Sequence, residues 1–376
     1  METIAPPQRR NRTRGPWVEI YLGTLGKNIA HMQQELRAGS ELIFVVKSDA
    51  YGHGVGPVVR KAAEMGVTWF AVAYLHEALE IRDHLPDAQI LLMGVAEPDD
   101  VPDLLDERIT PLIVSREQGE DLAFECERRG RTLSVHIKID SGMGRLGILW
   151  NEADAAIAGL AERPGLEITG LCSHFATVEP RRPELAGEQI DRLLSVKAFQ
   201  DERYFRHVSS SRAFLYCAEW DFEGIRSGIA LYGYGADDEQ MRIQTDPVLQ
   251  WKSRVIQIRS VPADFPVGYY SAWRTSEPTD LAVVSVGYAD GYPRLLSNEG
   301  DVLVHGRRCR VVGRVSMNWI TVDLGPESGV SVGDEVVLIG QQGEESVWAG
   351  ELAKICKTIP YEILTSIHPG HERRYL

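Results

Sequence analysis

Cysteine is scarce in this chain. Its 376 residues include five, at Cys126, Cys172, Cys217, Cys309 and Cys356, an odd number with no CxxC pair. That excludes a disulfide framework, gives no support for a zinc ribbon or a dithiol centre, and makes a reducing, cytoplasmic setting the expectation. No metal site is expected. Long apolar runs are also missing: none approaches the roughly 18 residues needed to span a bilayer. The N-terminal METIAPPQRRNRTRG is basic and lacks the apolar stretch of a signal peptide, so residues 1–15 are read as a disordered tail. Positive charge is in deficit, with a net −14 and a pI near 5.3, which argues against nucleic acid and anionic membrane as partners. No strand is followed by a GxGxxG turn, which weakens the case for a doubly wound dinucleotide fold.

What is present is ordinary globular material, 44% hydrophobic and 25% charged, arranged in two textures. From residue 42 to about 228, short apolar strands alternate with amphipathic helices. The strand candidates are 42–47, 69–73, 89–94, 109–114, 134–140, 167–173, 204–209 and 222–227, with helices predicted over 75–85, 151–163 and 183–203 among them. Alternation of this kind predicts parallel β-structure with right-handed crossovers, and eight strands is the number that closes a (β/α)8 TIM-type barrel. After residue 235 the strands become long, β-branched and closely spaced, which predicts a C-terminal, mostly antiparallel β domain. The expected division is a barrel over 16–240 and a β domain over 241–376. The early WVEIYL (17–22) has no clear barrel place and is a candidate to pair with the β domain.

The most unusual segment is FVVKSDAYGHG, residues 44–54. An apolar strand delivers Lys47 at its end, followed by a loop with Asp49, Tyr51, His53 and glycines. An ammonium at the end of a buried strand either snorkels to solvent or loses its charge, and a desolvated lysine is the residue that condenses with an aldehyde. In a barrel the functional rim is the C-terminal end of the strands. Several candidates fall there: Ser141–Arg145 after the fifth strand, His174 after the sixth, Ser209–Ser211 at the seventh, and Arg226 with Gly228 and Ile229 at the eighth. Loops after the last two strands form the usual phosphate site of such barrels. A hydroxyl with glycine-region N–H groups is a suitable donor set, so the rim points to pyridoxal 5'-phosphate.

The segments VVKSDAYGHG, FAVAYLHEALEIR (70–82), VHIKIDSGMGRLG (135–147), SHFATVE (173–179), IRSGIALYGYG (225–235), VGYY (267–270), VSVGYADGYPR (284–294), VVGRVSMNWITVDL (311–324) and YEILTSI (361–367) together resemble the alanine racemases, in family order and over nearly the whole chain. The resemblance implies a pyridoxal-phosphate-dependent isomerase that interconverts L- and D-alanine and supplies D-alanine for peptidoglycan. It implies that Lys47 holds the cofactor and acts as one base, and that Tyr269 is the second. Tyr51, Ser211, Gly228, Ile229 and Tyr361 would hold the phosphate, and Arg226, with His174 beside it, would face the pyridine nitrogen. Arg145 and the Met317 N–H would hold the substrate carboxylate, and Tyr288 would line substrate access. A homodimer with shared active sites is also implied.

Lys138 has two readings. It pairs with Asp140 or another acid, or, as is common in the family, it is carbamylated and so becomes an anion beside Arg145. The chain departs from the family in Ser316-Met317-Asn318 for the usual Cys-Met-Asp, in Ser210 for a common asparagine, in Pro360 before Tyr361, and in its PGHERRYL ending. These bear on substrate range, where serine or broad-specificity racemases are the nearest alternative. Two readings from other classes are a non-catalytic pyridoxal-phosphate carrier, which would lack the β domain, and a barrel-type decarboxylase, which the SDAYGHG and SGMGRLG segments fit poorly.

Overall fold

Short runs of Val, Ile, Leu and Phe bounded by turns satisfy their backbone only by pairing, and here eight of them do so in parallel. The computed structural model describes residues 15–178, 183–235 and 241–376; almost all of the expected N-terminal tail lies outside them. The strands met first are β1 (Trp17–Ile20), β2 (Glu41–Val45), β3 (Trp69–Val72), β4 (Gln89–Val95), β5 (Ile109–Ile113), β6 (Leu133–Asp140), β7 (Ile148–Leu149), β8 (Leu166–Cys172), β9 (Phe205–Ser210) and β10 (Gly224–Ser227). The order β5-β4-β3-β2-β10-β9-β8-β6, closed by the pairing of β5 with β6, is an eight-stranded parallel barrel with helices in the crossovers. The short β7 pairs with the end of β6, Ile139 opposite Ile148. The predicted helix over 183–203 is shorter, Pro183–Leu194. Its end is fixed where the Ser195 hydroxyl turns back to donate to the Arg192 carbonyl at 2.6 Å, a local bond that competes with helix continuation.

The barrel interior mixes aliphatic and polar side chains. Ile43 and Trp69, paired across β2 and β3, are buried there with His136 and His207, while Phe44, Phe70, Ile137 and Leu171 are buried on the opposite face of their strands. Gly170 in β8 makes room for one of these rings: a Cβ there would lie 2.6 Å from the His136 imidazole. A glycine within a strand commonly marks such a close approach.

The chain divides into two compact units, Tyr21–Val248 carrying the barrel, and Leu249–Tyr375 together with residues 15–20. The second unit contains β11 (Leu249–Val261), β12 (Pro266–Val267), β13 (Trp273–Arg274), β14 (Thr279–Val284), β15 (Asp301–Val304), β16 (Arg307–Val312), β17 (Ile320–Asp323), β18 (Glu335–Gln342), β19 (Glu345–Val347) and β20 (Glu372–Tyr375). Its large sheet runs β19-β18-β15-β16-β17-β14-β11-β1-β20, and an added pairing of β18 with β11 closes the central strands into a ring. β1, for which the sequence offers no barrel place, pairs antiparallel with β11 and parallel with β20. Apolar residues on alternate positions of these strands, Val261, Leu281 and Val312 among them, pack with Val267 against Phe265 and Trp273.

Candidate active site

The chain leaves β2 at Val45, and Val46 still donates to the Ala71 carbonyl of β3 at 2.9 Å. Lys47 follows, half-buried. Burial first, and then the nearby Arg145 guanidinium, hold its amine below the usual lysine range, against the opposing pull of Glu77. The next four residues, Ser48, Asp49, Ala50 and Tyr51, all take positive φ, between 52° and 55°. A left-handed turn of non-glycine residues costs roughly 1–2 kcal/mol per residue. Local bonds offset this. Ala50 N–H donates to the Val46 carbonyl at 2.8 Å, and Gly54 N–H to the Asp49 carbonyl at 3.0 Å. Val55 N–H donates to Asp49 Oδ1 at 2.8 Å, and Ser48 N–H to Glu77 Oε1 at 2.6 Å.

The turn buries Tyr51 against the Tyr232 ring, centroids 4.9 Å apart, beside the backbone that leaves β10. At Gly228 a Cβ would lie 2.7 Å from the Tyr51 Oη, so only glycine lets the phenol approach this peptide. Ser211, the first residue of the helix Ser211–Tyr216, accepts from the Gly228 N–H at 3.0 Å and shares a bond with the Ser227 hydroxyl at 3.1 Å. Tyr51 Oη, Ser211 Oγ and Gly228 thus meet in a small cradle on the rim, two hydroxyls beside a missing Cβ. Its chemistry and its missing Cβ fit a phosphate monoester.

Arg226 projects from β10 into the barrel and is buried. Among the described residues it has no carboxylate partner. Instead its guanidinium donates to the carbonyls of His207 (2.6 Å), Ser173 (2.7 Å) and Val208 (3.0 Å). It also meets His207 Nδ1 at 2.6 Å and His174 Nδ1 at 3.3 Å. A guanidinium only donates, so both imidazoles accept at Nδ1 and carry their proton on Nε2. His207 Nε2–H then donates to His136 Nδ1 at 2.9 Å. Burial, reinforced by Arg226, pushes His136 down to about 3. Burial and the cations Arg226, Lys138, Arg145 and Lys47 push His174 down to about 2. All three rings are neutral at ordinary pH, because His207 is also held well below its usual range by burial and Arg226.

Lys138 is buried in β6, and burial, followed by Arg226 and Arg145, lowers its amine. The reading that pairs it with Asp140 or another acid finds no ion pair among the described residues. The Asp140 carboxylate is taken up by its own loop, accepting from the N–H groups of Gly142, Met143, Gly144 and Arg145 at 2.8–3.2 Å. The same loop carries Arg145, which is exposed on the rim.

The barrel unit therefore gathers Lys47, Tyr51, Lys138, Arg145, His174, Ser211, Arg226, Gly228 and Ile229 around one mouth. The other predicted residues lie in the β unit. Tyr288 N–H donates to the Ser316 carbonyl at 3.0 Å and Ala289 N–H to the Met317 carbonyl at 2.9 Å, so Tyr288 and Met317 are neighbours. Met317 is exposed, and the Ser316–Trp319 loop closes through its own backbone at 3.0 Å without the Asn318 side chain. Tyr361 sits in the first turn of the helix Pro360–Ser366, whose Ser366 hydroxyl donates to the Gly291 carbonyl at 3.1 Å. Tyr269 is 64% exposed in the turn between β12 and β13, after Gly268. Sequence reasoning missed Glu77, His136 and His207 as parts of the site. The signal for the histidines was a polar ring at an inward-facing position, in register with Lys138 in β6 and with Ser209 in β9.

The chain matches the families described as alanine racemase, N-terminal domain, over residues 20–236, and alanine racemase, C-terminal domain, over residues 248–375. It is 38% identical to an alanine racemase of Syntrophobacter fumaroxidans over 93% of this chain and 95% of that one. It is likewise 38% identical to one of Carboxydothermus hydrogenoformans, over 96% and 100%. Among solved structures, alanine racemase from E. faecalis superposes with a TM-score of 0.90 at 29% identity, covering 97% of this chain and 99% of that one. Alanine racemase from Bartonella henselae, solved with covalently bound pyridoxal phosphate, superposes with a TM-score of 0.83 at 28% identity over 96% and 99%. With both domain families matched in order along the chain, this protein belongs to the alanine racemase family.

Proposed function

We propose that this protein racemises alanine with pyridoxal phosphate, using Lys47 and Tyr269 as bases on opposite faces of the substrate α-carbon, and so supplies D-alanine for peptidoglycan. The observation that carries this is the convergence, on one barrel mouth, of a desolvated Lys47, the Tyr51–Ser211–Gly228 cradle and the buried Arg226. Pyridoxal phosphate, when bound, supplies the electron sink that acidifies the α-proton of an amino acid joined to it. Lys47 would hold it covalently, while Tyr51, Ser211, Gly228, Ile229 and Tyr361 would hold its phosphate.

Inversion removes a proton from one face and returns one to the other, so it needs two groups able to exchange protons near neutral pH. Burial and Arg145 lower the Lys47 amine from the usual lysine range, the direction that a base needs. Arg226 stays protonated, since its guanidinium is held by three carbonyls. A fixed cation where the ring nitrogen would lie disfavours protonation of that nitrogen and so restrains side reactions. His174 accepts from Arg226 at Nδ1, which leaves its Nε2–H as a donor toward a phenol oxygen, the role we assign it for Tyr269. Arg145 and the Met317 N–H would take the substrate carboxylate, with Tyr288 at substrate access. The site is shared in a homodimer, Lys47 of one chain working with Tyr269 of the partner subunit.

Chiral amino-acid analysis of the loaded enzyme tests the reaction across L-Ala, L-Ser, L-Lys and L-Arg. D-alanine should form fastest. A fully loaded enzyme that leaves L-alanine unchanged would overturn the reading, and turnover of the larger substrates would reassign its range.

A further inference from the structure

Glu77 lies in the helix Leu75–His84 that follows β3, and it is buried. One of its oxygens does what an acid at the third position of a helix commonly does: Oε2 accepts from the Tyr74 N–H at 3.0 Å and the Ala73 N–H at 2.9 Å. That completes the helix start and uses only one oxygen. Oε1 crosses to a different strand end and accepts from the Ser48 N–H at 2.6 Å. Ser48 opens the left-handed turn, with φ 55°, directly after Lys47.

We propose that Glu77 is a positioning residue for Lys47: by gripping the Ser48 N–H it fixes the peptide that carries the lysine, holds the left-handed turn in place, and sets a counter-charge beside the amine. The charged and titratable groups around Lys47 come from several elements. Arg145 stands on the loop after β6, His174 follows β8, Tyr51 shares the turn, and Glu77 stands on the helix after β3. Lys138 and Arg226 add positive charge from β6 and β10 to the same mouth. Glu77 is the group that favours the ammonium against Arg145, while neutral His174 adds no charge. A helix cap alone would require none of this.

The inference rests on Lys47 being the reactive lysine, and the test separates the two ideas. In the apoprotein, trace acylation across pH, followed by peptide mass spectrometry, reports the protonation of Lys47 without cofactor or turnover. Glu77→Gln keeps the shape but removes the charge, so Lys47 should acylate about three- to tenfold faster near pH 8, with exposed lysines unchanged as internal controls. Hydrogen exchange over residues 48–51 should accelerate by about tenfold or more, because a backbone donor loses a charged acceptor. Glu77→Asp, with the charge kept on a shorter arm, should restore the acylation profile but not the slow exchange. An unmoved Lys47 profile together with unmoved exchange in Glu77→Gln would reduce Glu77 to a helix cap. Should Glu77→Gln fail to fold, exchange in Glu77→Asp decides: faster at residues 48–51 alone supports the grip, and unchanged overturns it. Borohydride reduction of the loaded wild type, with peptide mapping, separately tests whether Lys47 carries the cofactor.

Discussion

A lysine can be made reactive by removing water from it, and two lysines here have had water removed. Lys47 faces one guanidinium and one carboxylate; Lys138 is more deeply set, with Arg226 and Arg145 lowering its amine. Reaction with carbon dioxide needs a neutral amine, and burial, with Arg226 and Arg145 near, lowers the Lys138 amine in that direction. With Asp140 committed to its loop, a carbamate at Lys138 would convert a buried cation into an anion next to two arginines. We expect a carbamate resonance when the protein is equilibrated with 13C-bicarbonate above neutral pH, lost in Lys138→Ala. A spectrum without it, or one that survives the substitution, would leave Lys138 as a bare amine.

The three histidines give a pH dependence with a definite sign. His136 and His174 are held near 3 and 2 in the folded chain, whereas an unfolded histidine titrates near 6.5. Between those values the unfolded chain binds more protons, so stability falls as pH drops through about 6.5 and keeps falling toward about 3. At pH 5 each buried neutral ring costs about 2 kcal/mol relative to pH 7. Urea melts from pH 7 to pH 5 should show this loss, and His136→Gln should remove about one ring's share of the slope. A slope unchanged by that substitution would mean that His136 protonates freely in the folded chain.

At the scale of elements, strands were legible because their apolar runs are short and their helices amphipathic. Helix ends and turns were less so. Nothing in SDAY announces a left-handed turn, because that conformation is selected by bonds to Val46, Val55 and Glu77 rather than by intrinsic preference. Glycines test the packing directly. Gly170→Ala would drive a Cβ to 2.6 Å from His136 and should cost about 1–3 kcal/mol by overpacking. Gly187→Ala, in the helix Pro183–Leu194 with nothing within 4 Å, should instead stabilise by about 0.5–1 kcal/mol. Urea midpoints decide both, and equal effects at the two positions would refute the packing account of Gly170.

At the scale of the whole molecule, the proposed bases sit on different units, Lys47 in the barrel and Tyr269 in the β unit. In the shared-site dimer we propose, mixing Lys47→Ala with Tyr269→Ala under subunit exchange makes heterodimers with one doubly defective site and one intact site. Activity should reappear, approaching half the wild-type value per heterodimer. Heterodimers that stay inactive, while wild-type subunits survive the same exchange, would place both bases in one chain or remove Tyr269 from the chemistry.

The sequence by itself determined the alternation that makes a parallel barrel, the switch to β-branched strands after it, and the lysine, arginine and glycine segments that mark the rim. These are local patterns, set by the hydrophobic period and turn chemistry, and a linear reading captures them. Only the tertiary structure decided that β1 joins the sheet of β11 and β20, and that Asp140 serves its loop rather than Lys138. It alone aligned His136, His207 and Arg226 in one hydrogen-bonded row, and it alone turned the free oxygen of Glu77 to Ser48. Each of these depends on groups distant in sequence that meet where water is excluded. There an unpaired donor or charge is costly, so the partner is chosen by the fold and not by the neighbouring residues.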